Sequence, residues 1–333
     1  MLNALTAFFI SFTLSILIIR TQSLHGRISG DANLDGPQKF HTKIVPRIGG
    51  LAIVLGVFIP IALFDQGNTN EIDELFLLAS ILPGFGIGIV EDLAKSVSVK
   101  IRLLFISIGA LVAIFLLGTS INHLDIPGID YVIAIPAISM LFTVFAITGL
   151  TNAYNIIDGF NGLSSMIGLI ALMVIGYVGI LFSDSLIVLF SFTLFGAILG
   201  FFILNYPRGL IFLGDGGAYL IGFWVALLSI LIVNRHTQIS PWFAVMVNAY
   251  PILETLFTIY RRKYRQGKSP GHPDGLHFHS LIFRRILNSS HINSELEWFS
   301  ANAKTSPYLW LFSSFAVIPA IFFWHSTPIL IGF

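Results

Sequence analysis

The chain has 333 residues and no cysteine, with 55% apolar and 11% charged residues. Its mean hydropathy is +0.86. A soluble domain carries about 25% charged residues, so this composition excludes a water-covered globule, a disordered chain and a disulfide scaffold. Thiol catalysis and thiolate metal sites are excluded with them.

A membrane helix takes about 20 mostly apolar residues. Ten runs fit: 1–19, 48–64, 75–90, 103–118, 131–150, 163–181, 185–204, 218–233, 241–260 and 308–324. The first has no basic leader and no small-residue cleavage site, so it reads as a retained helix. The shorter runs are extended by flanking Lys and Arg that snorkel to the interface. The expectation is an all-α polytopic membrane protein of about ten transmembrane helices. It forms a single integral membrane domain over 1–333, with a long loop at 261–306.

The charges orient these runs. Of the 18 Lys and Arg, 17 fall in the odd-numbered gaps: 20–47, 91–102, 151–162, 205–217 and 261–306. The exception is Arg235. The positive-inside rule then makes the odd gaps cytoplasmic and both termini periplasmic.

Each odd gap carries a polar cluster. The first, DGPQKFHTKIVPRIGG, holds Lys39, His41, Lys43 and Arg47 before a Gly-Gly that opens the second helix. Cations beside a helix N-terminus suit an anion; positive-inside topology and close helix packing explain the same residues. The second gap begins with adjacent Glu91 and Asp92 at a helix end, where carboxylates oppose the dipole. Lys95 and Lys100 follow. Such a pair suits a general base, a nucleophile or a metal ligand.

The third gap places Asn152, Asn155 and Asp158 at i, i+3 and i+6, with Asn161 after Gly159. On a helix the first three share nearly one face. Oxygen side chains here suit a hard cation such as Mg2+, or hydrogen bonds to a base and ribose; turn chemistry accounts for the Asp-Gly and Asn-Gly pairs alone. The fourth gap holds Asp215 among Gly214, Gly216 and Gly217, either a phosphate or metal site or an N-cap. The fifth holds His272, His277 and His279 among many cations. No zinc-ligand spacing is present, and His with Arg suits a phosphate-rich ligand. All five clusters face one compartment, where loops can converge on one site.

In order, these motifs resemble those of the polyprenyl-phosphate N-acetylhexosamine-1-phosphate transferases, the family of MraY-like and WecA-like enzymes. The resemblance runs from about residue 30 to 285. It rests on Pro46-Arg47-Ile48-Gly49-Gly50, on Gly88 to Asp92 with Lys95 and Lys100, on Asn152 to Leu163, on Phe212 to Gly217 and on Leu276 to Ile282. Glu91 stands where the family's first paired Asp is usual, Asn161 replaces a second Asp, and Ser280 stands where many members have His. These departures make the chain more similar to the WecA-like sugar branch.

The resemblance implies transfer of N-acetylhexosamine 1-phosphate from a UDP-sugar to undecaprenyl phosphate, with release of UMP, in a bacterial cytoplasmic membrane. This step initiates cell-envelope polysaccharide synthesis. It implies Mg2+, with Mn2+ as the alternative ion, on Asp215 with Asn155 or Asn152. Asp92, supported by Glu91, is implied as base or nucleophile. Asp158, Gly159, Phe160 and Asn161 would hold the uridine, and His277 and His279 the diphosphate. Lys39, His41, Arg47, Lys95 and Lys100 would hold anionic groups. The partners are the UDP-sugar, the polyprenyl lipid and the membrane, with no nucleic acid and a homo-oligomer left open.

A non-enzymatic transporter would put charges near the midplane, whereas Glu254 is the one clear acid within a span. An inactive homologue is the other alternative, raised by Glu91 and Asn161 and opposed by the retained Asp92, Asp158, Asp215 and loop histidines. Asp158-Gly159 is not followed by the Arg of DGxxAR or the paired aspartates of GxxxDxxxD, the pattern of CDP-alcohol phosphatidyltransferases, which excludes that family.

Overall fold

The computed structural model describes residues 1–30, 45–64, 69–267, 276–287 and 295–333. Lys39, His41, Lys43 and His272 lie outside the described residues. In chain order the α-helices are α1 (Leu2–Arg20), α2 (Gln22–Ser29), α3 (Gly49–Phe64), α4 (Glu71–Ala94), α5 (Val99–Leu117), α6 (Ile129–Ile133), α7 (Pro136–Ile157) and α8 (Leu163–Leu181). They continue with α9 (Ser185–Asn205), α10 (Gly214–Arg235), α11 (Pro241–Val247), α12 (Ala249–Tyr260), α13 (Phe278–Ile282), α14 (Glu295–Phe323) and α15 (Thr327–Gly332).

Among the described residues, eight helices are long and apolar enough to cross a membrane, namely α1, α4, α5, α7, α8, α9, α10 and α14. A ninth crossing is formed if α11 and α12 are taken together, and the shorter apolar α3 covers the remaining apolar run. The protein is thus an all-helical integral membrane protein. Sequence punctuation accounts for the helix ends. Asn70, Ser98, Asp184 and Ser240 each accept a backbone N–H from the first turn of the helix they precede, the usual N-cap arrangement. Gly118 ends α5 in the left-handed conformation.

Two expectations are corrected. The run 241–260 is not one straight helix: α11 and the α12 segment meet at 77°. Pro251 has no N–H to offer the Val247 carbonyl and its ring crowds it. Asn248 occupies the break, donating to Ser229 Oγ (3.2 Å) and the Ala244 carbonyl (2.9 Å) and accepting from the Tyr154 hydroxyl (3.3 Å). The end of the 261–306 gap is also not loop, because α14 begins at Glu295.

The axis of the molecule is α10. Its membrane-length window is wholly buried, with α3, α4, α7, α8 and α9 packed around it. Its charged residues, Asp215 and Arg235, lie one at each end. At 1.5 Å per residue they are about 30 Å apart along the axis, the thickness of a bilayer's hydrocarbon core. Arg235 is held at its end by Asp184, Nε to Oδ2 at 2.7 Å.

At the Asp215 end, α3, α4 and α10 meet backbone to backbone. A Cβ at Gly50 would lie 2.5 Å from Gly217 N, and one at Gly88 2.5 Å from Gly216 Cα. Such separations are open only to glycine. The glycines of three separate motifs are one packing junction, and it delivers the polar residues beside them to one place.

Candidate active site

The site is built on the start of α10. Gly214 enters the helix with φ +77°, and a Cβ there would lie 2.3 Å from the Arg47 carbonyl oxygen and 2.5 Å from Asp92 Oδ2. Asp92, fully buried in the last turns of α4, accepts the Asp215 N–H at Oδ1 (2.7 Å) and the Gly216 N–H at Oδ2 (2.9 Å). A carboxylate thus caps the N-terminus of α10, satisfying free donors and opposing the positive end of the helix dipole.

Asp215 points from that same first turn toward three donors. Arg47 donates to Oδ1 at 2.6 Å, Asn155 Nδ2 to Oδ1 at 3.0 Å, and Arg102 to Oδ2 at 2.6 Å. Arg47 Nε also lies 3.4 Å from Asp92 Oδ1. Two carboxylates and two guanidiniums form a nearly neutral, largely buried cluster. Unpaired, such charges would not be stable there.

Asp158 follows α7, within electrostatic reach of both Arg47 and Asp215. Burial pushes its carboxyl up to about 7; Arg47 opposes the shift and Asp215 adds to it. Gly159 comes next because a ring covers it: a Cβ there would lie 2.9 Å from His279 Nε2. Phe160 is buried against that ring, its centroid 5.6 Å from His279 and 5.3 Å from Phe283. His277 stacks on His279 at 5.1 Å. Arg47, Asp92, Arg102, Asn155, Asp158, Asp215, His277 and His279 therefore form one continuous region, drawn from all five odd gaps.

Other expected residues sit differently. Glu91 is tied to its own loop, its Oε2 accepting the Val97 N–H at 2.7 Å, and it reaches the site only electrostatically, through Arg102. Lys95, at φ 55°, donates from Nζ to the Gly30 carbonyl at 2.6 Å. Lys100 is exposed at the start of α5. Asn161 is buried, and its side-chain nitrogen donates to the Pro207 carbonyl at 3.1 Å while its backbone N–H is held by Asn302 Oδ1 at 3.1 Å. Asn152 is half-buried on α7. The N–H groups of Gly49 and Gly50 are not open to an anion: they donate to the carbonyls of Phe212 and Leu213, each at 3.0 Å.

Sequence reading missed three contributors. Arg102 was visible only as one of the cations that set topology. Asn205 and Asn302 lie far along the chain yet clamp the 158–162 turn, Asn205 by accepting the Gly162 N–H at 2.6 Å. No local pattern marks either residue.

Among the described residues, no three His, Asp or Glu side chains stand close enough together to hold a metal ion. The donors at hand are the Asp215 carboxylate and the amide oxygen of Asn155, with Asn152 one turn earlier on α7. Asn155 presents nitrogen to Asp215 here, and a half-turn of its amide presents oxygen. One carboxylate with neutral oxygens fits Mg2+, which keeps several waters and takes substrate phosphates as ligands.

Residues 74–233 match the family model described as glycosyl transferase family 4. The undecaprenyl-phosphate alpha-N-acetylglucosaminyl 1-phosphate transferase of Pasteurella multocida is 36% identical over 260 residues, covering 76% of this chain and 71% of that protein. A probable undecaprenyl-phosphate N-acetylglucosaminyl 1-phosphate transferase of Bacillus subtilis is 29% identical over 285 residues, 85% of this chain and 78% of the relative. The corresponding Salmonella typhi enzyme is 26% identical over 296 residues, at 86% and 78% coverage. The matched stretch brings α4 to α10, and with them Asp92, Arg102, Asn155, Asp158 and Asp215, under one description, and the chain belongs to glycosyl transferase family 4.

Proposed function

We infer that the protein transfers N-acetylhexosamine 1-phosphate from a UDP-sugar to undecaprenyl phosphate, releasing UMP. The observation that carries the reading is the convergence of three other chain segments on Asp215, at one end of a buried axial helix, with the histidine loop packed on the adjoining Gly159–Phe160 turn. A transporter would need its polar groups distributed along a path. Here the charges of α10 stand only at its two ends, Arg235 paired with Asp184 at one and the five-motif cluster around Asp215 at the other. The names of the relatives make N-acetylglucosamine the first sugar to test.

In the reaction, an oxygen of the lipid phosphate forms a bond to the β-phosphorus. The bond from that phosphorus to the bridging oxygen breaks, and UMP leaves. A phosphate monoester has its second pKa near 6, roughly, so at neutral pH the acceptor is largely dianionic and needs no strong base. Catalysis is then mostly positioning and charge neutralisation. Arg47 and Arg102 supply positive charge beside Asp215, His277 and His279 face the diphosphate, and the Asp158–Phe160 turn holds the nucleoside. Both Asp92 oxygens are engaged by backbone N–H groups, which favours a role in aligning Asp215 over direct attack. Asp215 with Asn155 or Asn152 would hold Mg2+, whose charge neutralises the donor diphosphate when bound. The strong Lys and Arg bias supports placing this end in the cytoplasm and the protein in the bacterial cytoplasmic membrane, where it would start an envelope polysaccharide.

The test is UMP release by purified protein with undecaprenyl phosphate and a panel of UDP-N-acetylhexosamines. Release that requires lipid and a divalent cation, stops with EDTA and is lost in Asp215→Ala supports the reading. A folded protein that binds UDP and turns over no donor would instead be an inactive homologue.

A further inference from the structure

Glu254 is a carboxylate in the α12 arm of the bent span, with its side chain 2% exposed. Nothing in the transfer chemistry above uses it. Its burial is costly unless it is fully partnered, and its partners all lead to one place. Oε1 lies 3.0 Å from His277 Nδ1 and accepts the Phe278 N–H at 3.1 Å; Oε2 accepts the same N–H at 3.2 Å. The Thr258 hydroxyl lies 3.4 Å from Oε1 and 3.2 Å from His277 Nδ1.

Two consequences follow. A carboxylate only accepts, so the short contact requires the proton on His277 Nδ1. Nε2 is then the ring nitrogen left to face other groups. Glu254 also holds the first N–H of α13, the turn that carries His279 over Gly159 and Phe160. One buried side chain therefore sets the tautomer of one loop histidine and the seat of the other.

We propose that Glu254 is a positioning residue of the transfer site, acting through His277 and His279. Its role in turnover rests on the transferase reading; its role on the histidines does not. Glu254→Gln tests both. The Phe278 N–H still needs an acceptor, so the amide oxygen takes that place and the amide nitrogen faces His277 Nδ1. The amide would force the proton to Nε2, reversing the tautomer with little change in shape.

The first measurement is nitrogen NMR of histidine-labelled wild-type protein in detergent, with the His277 signals assigned by their loss in His277→Gln. The expected result is a protonated Nδ1 on His277 in the wild type and a switch to protonated Nε2 in Glu254→Gln. The second is kinetic. Glu254→Gln should lower kcat by roughly tenfold or more, as a wrong tautomer does in other histidine-dependent sites, with KM for the UDP-sugar moving less. Glu254→Asp, which keeps the acceptor charge, should recover part of the loss. A wild-type His277 protonated at Nε2 alone would overturn the proposal without any variant having to fold. So would a folded Glu254→Gln enzyme with wild-type kcat when His277→Gln is inactive. If the wild type releases no UMP from any donor, the function reading fails, and the NMR result still decides what Glu254 does.

Discussion

At the scale of single residues, the site is a matched set of charges, and each member has a distinct consequence when removed. Asp215→Ala removes the carboxylate that Arg47, Arg102 and Asn155 all contact. UMP release should fall by about 100-fold to 1000-fold, the scale for losing a preorganised electrostatic group. Asp92→Ala should behave differently. It takes the cap from α10 as well as its charge, leaving the Asp215 and Gly216 N–H groups without their acceptor. Activity should fall together with stability, by about 1–2 kcal/mol for a lost cap, read as a lower melting temperature in detergent. An Asp92→Ala protein that melts as the wild type does but is inactive would return Asp92 to a purely chemical role. Asp92 drew notice because an acid at a helix C-terminus opposes the dipole, and Asp215 because it sits among three glycines, where a cap was the competing reading. Arg102 was not legible in the sequence, since a cation at a helix start in a Lys- and Arg-rich gap is explained by the positive-inside bias alone. Its role appears only when Asp215, more than a hundred residues away, is brought beside it.

At the scale of elements, the junction of α3, α4 and α10 sets how closely Asp92 and Arg47 approach the first turn of α10. Gly88→Ala would place a methyl 2.5 Å from Gly216 Cα and 2.7 Å from Gly216 N. Both are backbone atoms, so neither can turn aside, and the helices must separate. Overpacking of this kind costs about 1–3 kcal/mol. The separation also lengthens the Asp92 bonds to α10, so activity should drop by at least tenfold, roughly. Gly86 is the control. It lies two residues earlier on the same helix with nothing within 4 Å of an added Cβ, and Gly86→Ala should leave the melting temperature and UMP release unchanged. Equal effects from both substitutions would show that helix propensity, not the junction, sets the outcome. The helices themselves were legible from twenty-residue apolar runs, as the bilayer allows few other backbones. The bend at Asn248 was not, although Pro251 stands in the middle of the run, because membrane helices accommodate prolines, as α4 does Pro83, and the packing of Asn248 against Tyr154 and Ser229 is what fixes the turn beside it.

At the scale of the whole molecule, the two ends of α10 do different work. In the proposed function the Asp215 end carries the chemistry. The Arg235 end is an anchor, where Asp184 caps α9, pairs with Arg235 and lies 2.9 Å from His236 Nε2. Burial raises the Asp184 carboxyl, but the Ile187 N–H, His236 and Arg235 together outweigh it and hold the group below its ordinary 3.8. A depressed carboxylate contributes stability that is present above its unfolded value and lost as the pH falls through the folded one. Melting temperature should therefore fall below about pH 4, and Asp184→Asn should flatten that part of the profile while lowering the neutral plateau. UMP release at neutral pH, in protein still folded, should survive far better than in Asp215→Ala, because the anchor lies a membrane's thickness from the reaction. The same separation tests orientation. The chain has no cysteine, so single substitutions report topology against a blank background. In intact cells a membrane-impermeant thiol reagent should label Asn122→Cys, in the gap between α5 and α6 assigned to the outside. It should label Lys263→Cys only after the membrane is opened, since that residue follows α12 among the cations that the charge bias assigns to the cytoplasm. Both positions are exposed, so a difference in labelling reads the side of the membrane and not burial. The reverse pattern would put Asp215 outside, away from any cytoplasmic nucleotide sugar, and no arrangement of the site residues could then sustain the transferase reading.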